Sequence, residues 1–139
     1  MKAHSIMIVD DSEMDRYLLK RLIKKAEITS EIFEAENGKV ALDFFIHEKE
    51  NSKKYPDSYP PIVIFLDINM PIMGGFEFLE KFNELKKERE HLNSVVFAMF
   101  TSSEMEEDVK KAESYDFVQG FITKGSLSVE GLKLSLIHI

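Results

Sequence analysis

Five short apolar runs alternate with longer amphipathic segments along this chain of 139 residues, and the alternation limits the possible folds more than any other feature. The strongest run, residues 62–66, is apolar at every position, which is typical of a central strand covered on both faces of a parallel sheet. Five strand–helix units in a chain of one-domain length predict an α/β fold, a doubly wound parallel (βα)5 sheet with helices on both faces.

Hydrophobic periodicity and turn residues locate the individual elements. The predicted strands span residues 5–9, 31–35, 62–66, 95–100 and 119–123, and the predicted helices span residues 13–26, 40–47, 76–87 and 103–114. The tail from Ser126 fits a strand or a helix, and the preceding βα order favours a helix. Residues 48–61 are polar and contain three prolines, so we expect a loop there. Two helix N-caps are predicted from residue spacing, Ser12 with Asp15 and Ser103 with Glu106.

Composition and charge exclude several classes of protein. The chain has no cysteine, so it forms neither disulfides nor thiolate metal sites. Its formal net charge of −7 repels nucleic-acid phosphates, so we expect no nucleic-acid partner. No apolar run approaches the ~20 residues that span a bilayer, and the N-terminal run is too short for a signal peptide. We therefore expect a cytoplasmic protein with no membrane partner.

Four of the predicted strands end in residues that can carry chemistry. Asp10 and Asp11 follow the first strand, Asp67 the third, Thr101 ends the fourth, and Lys124 follows the fifth. Open parallel sheets bind their ligands beyond the carboxyl ends of the strands. The sequence therefore predicts that three carboxylates, one hydroxyl and one ammonium meet at one edge of the sheet.

This combination of side chains suits phosphoryl transfer. Three carboxylates held together repel one another and need a compensating cation. Hard oxygen ligands select Mg²⁺ or a similar ion such as Mn²⁺, which readily takes a phosphate oxygen as a further ligand. Lys124 would add a second positive charge, and Thr101 would offer a hydrogen-bond donor to the phosphoryl group.

Each of these residues, taken alone, has a simpler interpretation. Asp10 and Asp11 suit the cap of the first helix, and Asp67 suits a turn. Thr101 suits a strand end, and a lone lysine such as Lys124 is most often a solvated charge. Chance placement of all five at predicted strand ends explains the pattern poorly, so we favour a joint site.

The sequence at these positions resembles the receiver domain of two-component response regulators. The matching motifs are IVDDS at 8–12, LDINMPIMGG at 66–75, TS at 101–102 and FITK at 121–124. The match covers the chain from about residue 4 to residue 125, and the 66–75 motif is already specific by itself. The resemblance implies the flavodoxin-like strand order 2-1-3-4-5.

The resemblance also implies a role for each site residue. Asp67 would be the phosphoacceptor, and Thr101 and Lys124 would bind phosphoryl oxygens. Movement of Thr101 toward the phosphoryl group would draw Phe121 inward as a conformational switch. The implied ligands of Mg²⁺ (or Mn²⁺) are Asp10, Asp11, Asp67 and the backbone carbonyl of Asn69.

For the chain as a whole, the resemblance implies phosphorelay signalling. A sensor histidine kinase or a histidine phosphotransfer protein would donate the phosphoryl group, and an unknown downstream protein would read the switch. The output face would comprise helix 103–114, strand 119–123 and the last helix. We expect one receiver domain over residues 1–139 without an output domain, as a monomer or a weak phosphorylation-dependent dimer. It would not be an enzyme, beyond supporting its own phosphoryl transfer and autodephosphorylation.

Three residues depart from the family pattern. Gly125 replaces the usual proline after the lysine, so we expect a trans bond and a looser loop, because a cis bond there costs about 3 kcal/mol. Gly74 replaces an aspartate, which should make the loop after the third strand more flexible. Phe121 lacks a tyrosine hydroxyl, so the switch must work through packing.

Three other functions compete with this interpretation. A pseudo-receiver, which binds partners without phosphorylation, usually lacks an acidic residue or the lysine, and here only Gly125 favours it. A phosphatase of the haloacid dehalogenase type needs a second carboxylate where this chain has Asn69. A Rossmann domain needs a glycine-rich turn after the first strand, where residues 10–13 are acidic instead.

Overall fold

The computed structural model describes residues 5–29, 31–102 and 105–137, with side chains described as far as Lys133. The strands are β1 (Ser5–Val9), β2 (Glu31–Ala35), β3 (Val63–Leu66), β4 (Val96–Thr101) and β5 (Val118–Thr123). They form one parallel sheet in the order β2-β1-β3-β4-β5, which confirms the predicted fold and topology. The helices are α1 (Glu13–Lys25), α2 (Gly38–Ile46), α3 (Glu48–Lys54), α4 (Gly75–Glu88), α5 (Glu106–Glu113) and α6 (Val129–Ile137).

Apolar side chains fill both faces of the sheet. Successive strand residues point to opposite faces, so a strand covered on both sides must be apolar throughout. In β3, Ile64 and Leu66 pack with the residues of α2, α4 and α5, whereas Val63 and Phe65 pack with those of α1 and α6. The helix residues buried in these two clusters include Phe45, Phe78, Phe82 and Ala112 on one face and Leu19, Ile23 and Leu132 on the other.

The register of the strands brings their polar ends together. Val9 of β1 lies opposite Leu66 of β3, so the residues that follow them, Asp10 and Asp67, are neighbours across the strand pair. Thr101 of β4 lies opposite Thr123 of β5, directly before Lys124. The chemistry-bearing residues therefore share one edge of the sheet.

The segment 48–61 shows the largest departure from the sequence prediction. We expect a loop there, but residues 48–54 form α3. Acidic residues in its first turn and lysines in its last turn favour the helix dipole, and the prolines begin only at residue 56. No residue of α3 is buried, so the helix has no hydrophobic periodicity that the sequence could reveal.

The helix termini follow the predicted caps in part. The Ser12 cap is confirmed, because its hydroxyl accepts a hydrogen bond from the Asp15 N–H at 3.2 Å. Ser103 lies outside the described residues, and α5 begins later than predicted, at Glu106. The helical tail is confirmed as α6. None of the helices within the described ranges has the length and hydrophobicity of a transmembrane segment.

Candidate functional site

Three aspartates meet at the carboxyl ends of β1 and β3. Asp10 is fully buried, Asp67 is 5% exposed, and Asp11 is exposed to solvent. One carboxylate oxygen of each lies within 4.8 Å of an oxygen of the other two. The structure thus brings together the three carboxylates that the sequence predicts at this edge.

The Lys124 ammonium lies among these carboxylates. Its Nζ is 2.7 Å from Asp10 Oδ2, 2.8 Å from Asp15 Oδ2 and 3.4 Å from Asp67 Oδ2. The bond between Lys124 and Gly125 is trans, as expected, and residues 124–126 form a short 3-10 turn. Three carboxylates contact the ammonium, and the looser loop expected from Gly125 stays a prediction.

Backbone hydrogen bonds orient the two buried aspartates. Asp10 Oδ1 accepts a bond from the Ser12 N–H at 2.9 Å, and Asp67 Oδ1 accepts one from the Ile68 N–H at 2.8 Å. In both residues the second oxygen, Oδ2, is therefore turned toward Lys124. One oxygen of each carboxylate is fixed by the backbone, and the other is available to a cation or a reacting group.

The pKa values of Asp10 and Lys124 are both raised, for different reasons. Burial raises the pKa of Asp10, and this effect outweighs the opposing effects of the nearby Lys124 ammonium and of the hydrogen bond from the Ser12 N–H. Burial alone would lower the pKa of Lys124, but its close contacts with Asp10 and Asp15 and the charge of Asp67 leave that pKa above its ordinary value. Lys124 is therefore a permanent cation of the site.

The remaining predicted residues lie on β4, on β5 and in the segment that follows β3. Thr101 is fully buried at the last position of β4. Asn69 is exposed in the segment between β3 and α4. Phe121 is half-buried in β5 and packs against the core residues of the α4 face. Their individual roles in binding and switching stay predictions.

Gly75 is required by a close approach of the backbone beneath the site. A Cβ at this position would lie only 2.3 Å from the backbone oxygen of Asp67. The Gly75 N–H also donates a hydrogen bond of 2.8 Å to the Ile68 oxygen, so the chain folds back tightly after Asp67. The glycine thus fixes the loop that carries the central carboxylate.

Sequence reasoning assigned Asp15 only to the cap of α1. Its N–H does fill that role, but its carboxylate makes the 2.8 Å contact with Lys124. The two residues are 109 positions apart, and no local pattern in the sequence indicates that they meet.

The donor set fits a hard divalent cation. Lys124 contacts the carboxylates of Asp10, Asp15 and Asp67, and Asp11 joins Asp10 and Asp67 in the acidic cluster. The four carboxylates therefore outnumber the one ammonium among them. Carboxylate oxygens in such a cluster are the ligands that Mg²⁺ and Mn²⁺ prefer. Asp10, Asp11 and Asp67 could therefore hold such an ion.

Comparison with known proteins assigns the chain to a family. The model of the response regulator receiver domain matches residues 6–132. The chain belongs to this family. It is therefore a receiver domain of the two-component response regulators, a class of signalling domains that are generally not enzymes.

Individual relatives agree with this assignment. The receiver is 30% identical over 120 residues to the response regulator Rcp1 of Synechocystis sp., covering 86% of this chain and 75% of the relative. It is 33% identical over 123 residues to the chemotaxis protein CheY of Halobacterium salinarum, and the match covers 88% of this chain and 85% of the relative. A solved two-component response regulator from Cytophaga hutchinsonii has the same fold, with a TM-score of 0.80 at 23% identity over 99% and 96% of the two chains.

Proposed function

We propose that this receiver accepts a phosphoryl group on Asp67 and passes the signal to another protein through a conformational switch. The observation that carries the proposal is the position of the Lys124 ammonium between Asp10 and Asp67, beside a cluster of three carboxylates. This arrangement combines a carboxylate nucleophile with fixed positive charge, which is what transfer of a phosphoryl group requires.

Asp67 acts as the nucleophile in this scheme. Its Oδ1 is held by the Ile68 N–H, so Oδ2 is the oxygen that forms the bond to phosphorus. The phosphorus–nitrogen bond of a phosphohistidine breaks, and the imidazole nitrogen keeps the electron pair. The product is an acyl phosphate on Asp67. Attack of water on its phosphorus then releases phosphate and restores the carboxylate, without a separate enzyme.

The metal ligands follow from the donor set. Mg²⁺ or Mn²⁺ would be held by Asp10, Asp11, Asp67 and the backbone carbonyl of Asn69. When bound, the ion supplies positive charge that offsets the repulsion between the aspartates and an incoming phosphoryl group. Backbone bonds to Asp10 and Asp67 hold these carboxylates in place before the ion binds.

Lys124 and Thr101 bind the oxygens of the transferred group. The permanent charge of Lys124 pairs with one phosphoryl oxygen, and the Thr101 hydroxyl donates to another. Thr101 moves to make this bond, and Phe121 packs inward behind it. The altered surface of α5, β5 and α6 is then read by the partner.

The proposal defines the kinds of partner. A sensor histidine kinase or a histidine phosphotransfer protein supplies the phosphoryl group, and a downstream protein binds the switched face. We propose that the chain works as one receiver domain, because the family model covers residues 6–132. Phosphorylation would leave it monomeric or produce a weak dimer.

Intact-mass spectrometry with acetyl phosphate tests the proposal. Purified protein should gain one phosphoryl group with Mg²⁺ and none with EDTA. Asp67→Asn should gain none, whereas Asp43→Asn, a change on the exposed side of α2, should behave as wild type. A folded protein that gains nothing from acetyl phosphate or from kinases would contradict the proposal and leave the pseudo-receiver as the better interpretation.

A further inference from the structure

One acidic side chain of the site has no part in the reaction as proposed. Asp15 lies in the first turn of α1, and its Oδ2 is 2.8 Å from Lys124 Nζ. The corresponding distance to Asp67 Oδ2 is 3.4 Å. Lys124 is therefore closer to Asp15 than to the carboxylate on which the phosphoryl group would form.

The lengths of these contacts rank them. Charge-assisted hydrogen bonds between an ammonium and a carboxylate are strongest at about 2.7–2.9 Å. The contacts of Lys124 with Asp10 and Asp15 fall in this range, whereas the contact with Asp67 is longer. Asp15 Oδ2 accepts a hydrogen bond from Lys124 Nζ at 2.8 Å and Asp67 Oδ2 accepts a longer one at 3.4 Å, whereas Asp10 Oδ2 forms a close ion pair without hydrogen-bond geometry. Asp67 therefore receives the weaker of the two hydrogen bonds.

The burial of the partners shows which contact can be given up. The Asp10 carboxylate is fully buried, so water cannot replace the ammonium there if Lys124 moves away. The Asp15 side chain is 31% exposed, and water can replace the ammonium there at little cost. The contact with Asp15 is therefore the one that Lys124 can exchange for a phosphoryl oxygen.

We infer that Asp15 is a positioning residue that holds the Lys124 ammonium back from Asp67 until a phosphoryl group competes for it. The inference rests on the proposed function. The Asp15 carboxylate is well placed for this task, because the bond from its N–H to Ser12 fixes it at the start of α1. In this scheme the contact between Asp15 and Lys124 is given up on phosphorylation, and the cost of breaking it slows the reaction.

A double-mutant cycle tests whether Asp15 acts through Lys124. The maximal phosphorylation rate with acetyl phosphate and Mg²⁺ is measured for wild type, Asp15→Asn, Lys124→Gln and the double variant, over a range of donor concentrations. Asp15→Asn should raise the maximal rate about threefold to tenfold, the range that one charge-assisted bond at a partly exposed site can change. The same substitution should have no effect when Lys124 is already glutamine.

Glu13→Gln is the matched control. Glu13 is exposed in the same first turn and carries the same charge, but among the described residues Lys124 forms its ion pairs with Asp10, Asp15 and Asp67 and not with Glu13. The control should leave the rate unchanged. A similar rise with Glu13→Gln, or an equal rise from Asp15→Asn in both Lys124 backgrounds, would show a general charge effect and overturn the inference.

A second measurement covers the case in which Lys124→Gln fails to fold. The NMR resonance of the Lys124 ammonium nitrogen should move with Asp15→Asn and stay in place with Glu13→Gln. A resonance that does not move with Asp15→Asn would overturn the inference.

The proposed function and the role of Asp15 can fail separately. If wild type is phosphorylated but Asp15→Asn is no faster, only the role of Asp15 is contradicted. If wild type gains no phosphoryl group at all, the proposed function falls and this inference falls with it.

Discussion

The Lys124 ammonium lies 2.7 Å from Asp10 Oδ2 and so connects the carboxyl ends of β5 and β1, which β3 and β4 separate in the sheet. Asp10 is fully buried, and its raised pKa shows that burial outweighs the compensation by Lys124. A carboxylate held in this way costs stability, as is common for groups kept for function. The stability of metal-free variants measures that cost, whereas phosphorylation measures the role of the site.

Replacement of Asp10 by asparagine should stabilise the metal-free protein at neutral pH. The folded-state pKa of Asp10 is raised above 3.8, so between the two values the unfolded state binds fewer protons, and stability falls as pH rises through this window. Asp10→Asn should therefore have a higher free energy of unfolding than wild type at pH 7 in EDTA. The gain should shrink as the pH falls toward 3.8, where both states of wild type become protonated.

Urea denaturation at several pH values measures this effect. Asp43→Asn, which removes an exposed carboxylate on α2, serves as the control and should change stability by less than about 0.5 kcal/mol. A lower stability of Asp10→Asn at pH 7 would show that the bond to Lys124 outweighs the cost of burial.

Magnesium should raise the melting temperature of the protein. An ion that binds only the folded state stabilises it by mass action, which corresponds to about 3–8 °C at ten times the dissociation constant. Asp11→Asn removes an exposed carboxylate of the cluster and should abolish most of the shift. Thermal melts with MgCl₂ against NaCl of equal ionic strength measure this. An equal shift in wild type and Asp11→Asn would place the bound ion elsewhere.

Two glycines should differ in how much stability is lost on substitution by alanine. A Cβ at Gly75 would lie 2.3 Å from the backbone oxygen of Asp67, so Gly75→Ala should destabilise the protein by about 2 kcal/mol or more and reduce phosphorylation. A Cβ at Gly125 meets nothing within 4 Å, so Gly125→Ala should change stability by less than about 1 kcal/mol. Equal stabilities of the two variants in urea denaturation would contradict the close packing after Asp67.

Ile72 has an unfavourable backbone conformation. Its φ is 71°, a left-handed value that costs a β-branched residue about 1 kcal/mol or more, and its side chain is 78% exposed. Ile72→Asn should therefore stabilise the protein by about 1 kcal/mol, because asparagine tolerates this region. Ile72→Val keeps the β-branch and should have little effect. Denaturation midpoints that are unchanged for Ile72→Asn would show that no strain is present.

The sheet and most of the site were predictable because parallel strands impose strong local rules. A strand buried on both faces must be apolar, as β3 is, and the residue after it must emerge at the ligand-binding edge, as Asp67 does. The family resemblance then supplied the strand order and the roles of Thr101 and Phe121, which no pattern of polarity indicates.

The rest could not be predicted, because it depends on distances between elements. The helix α3 is polar on every side, so its sequence resembles that of a loop. Asp15 was recognisable as a capping residue, but its contact with Lys124 joins residues 109 positions apart and requires the packed fold. The three carboxylates that contact Lys124 likewise come from separate parts of the chain, which only the packed fold brings together.

The most direct test of the central claim locates the phosphoryl group on the chain. The protein is phosphorylated with Mg²⁺ and acetyl phosphate and then treated with borohydride, which reduces an aspartyl phosphate to homoserine, and the peptides are sequenced by mass spectrometry. Homoserine at position 67, and at no other aspartate, is the result that we predict. Reduction at Asp10, Asp11 or Asp15, or phosphorylation without any reducible acyl phosphate, would contradict Asp67 as the phosphoacceptor.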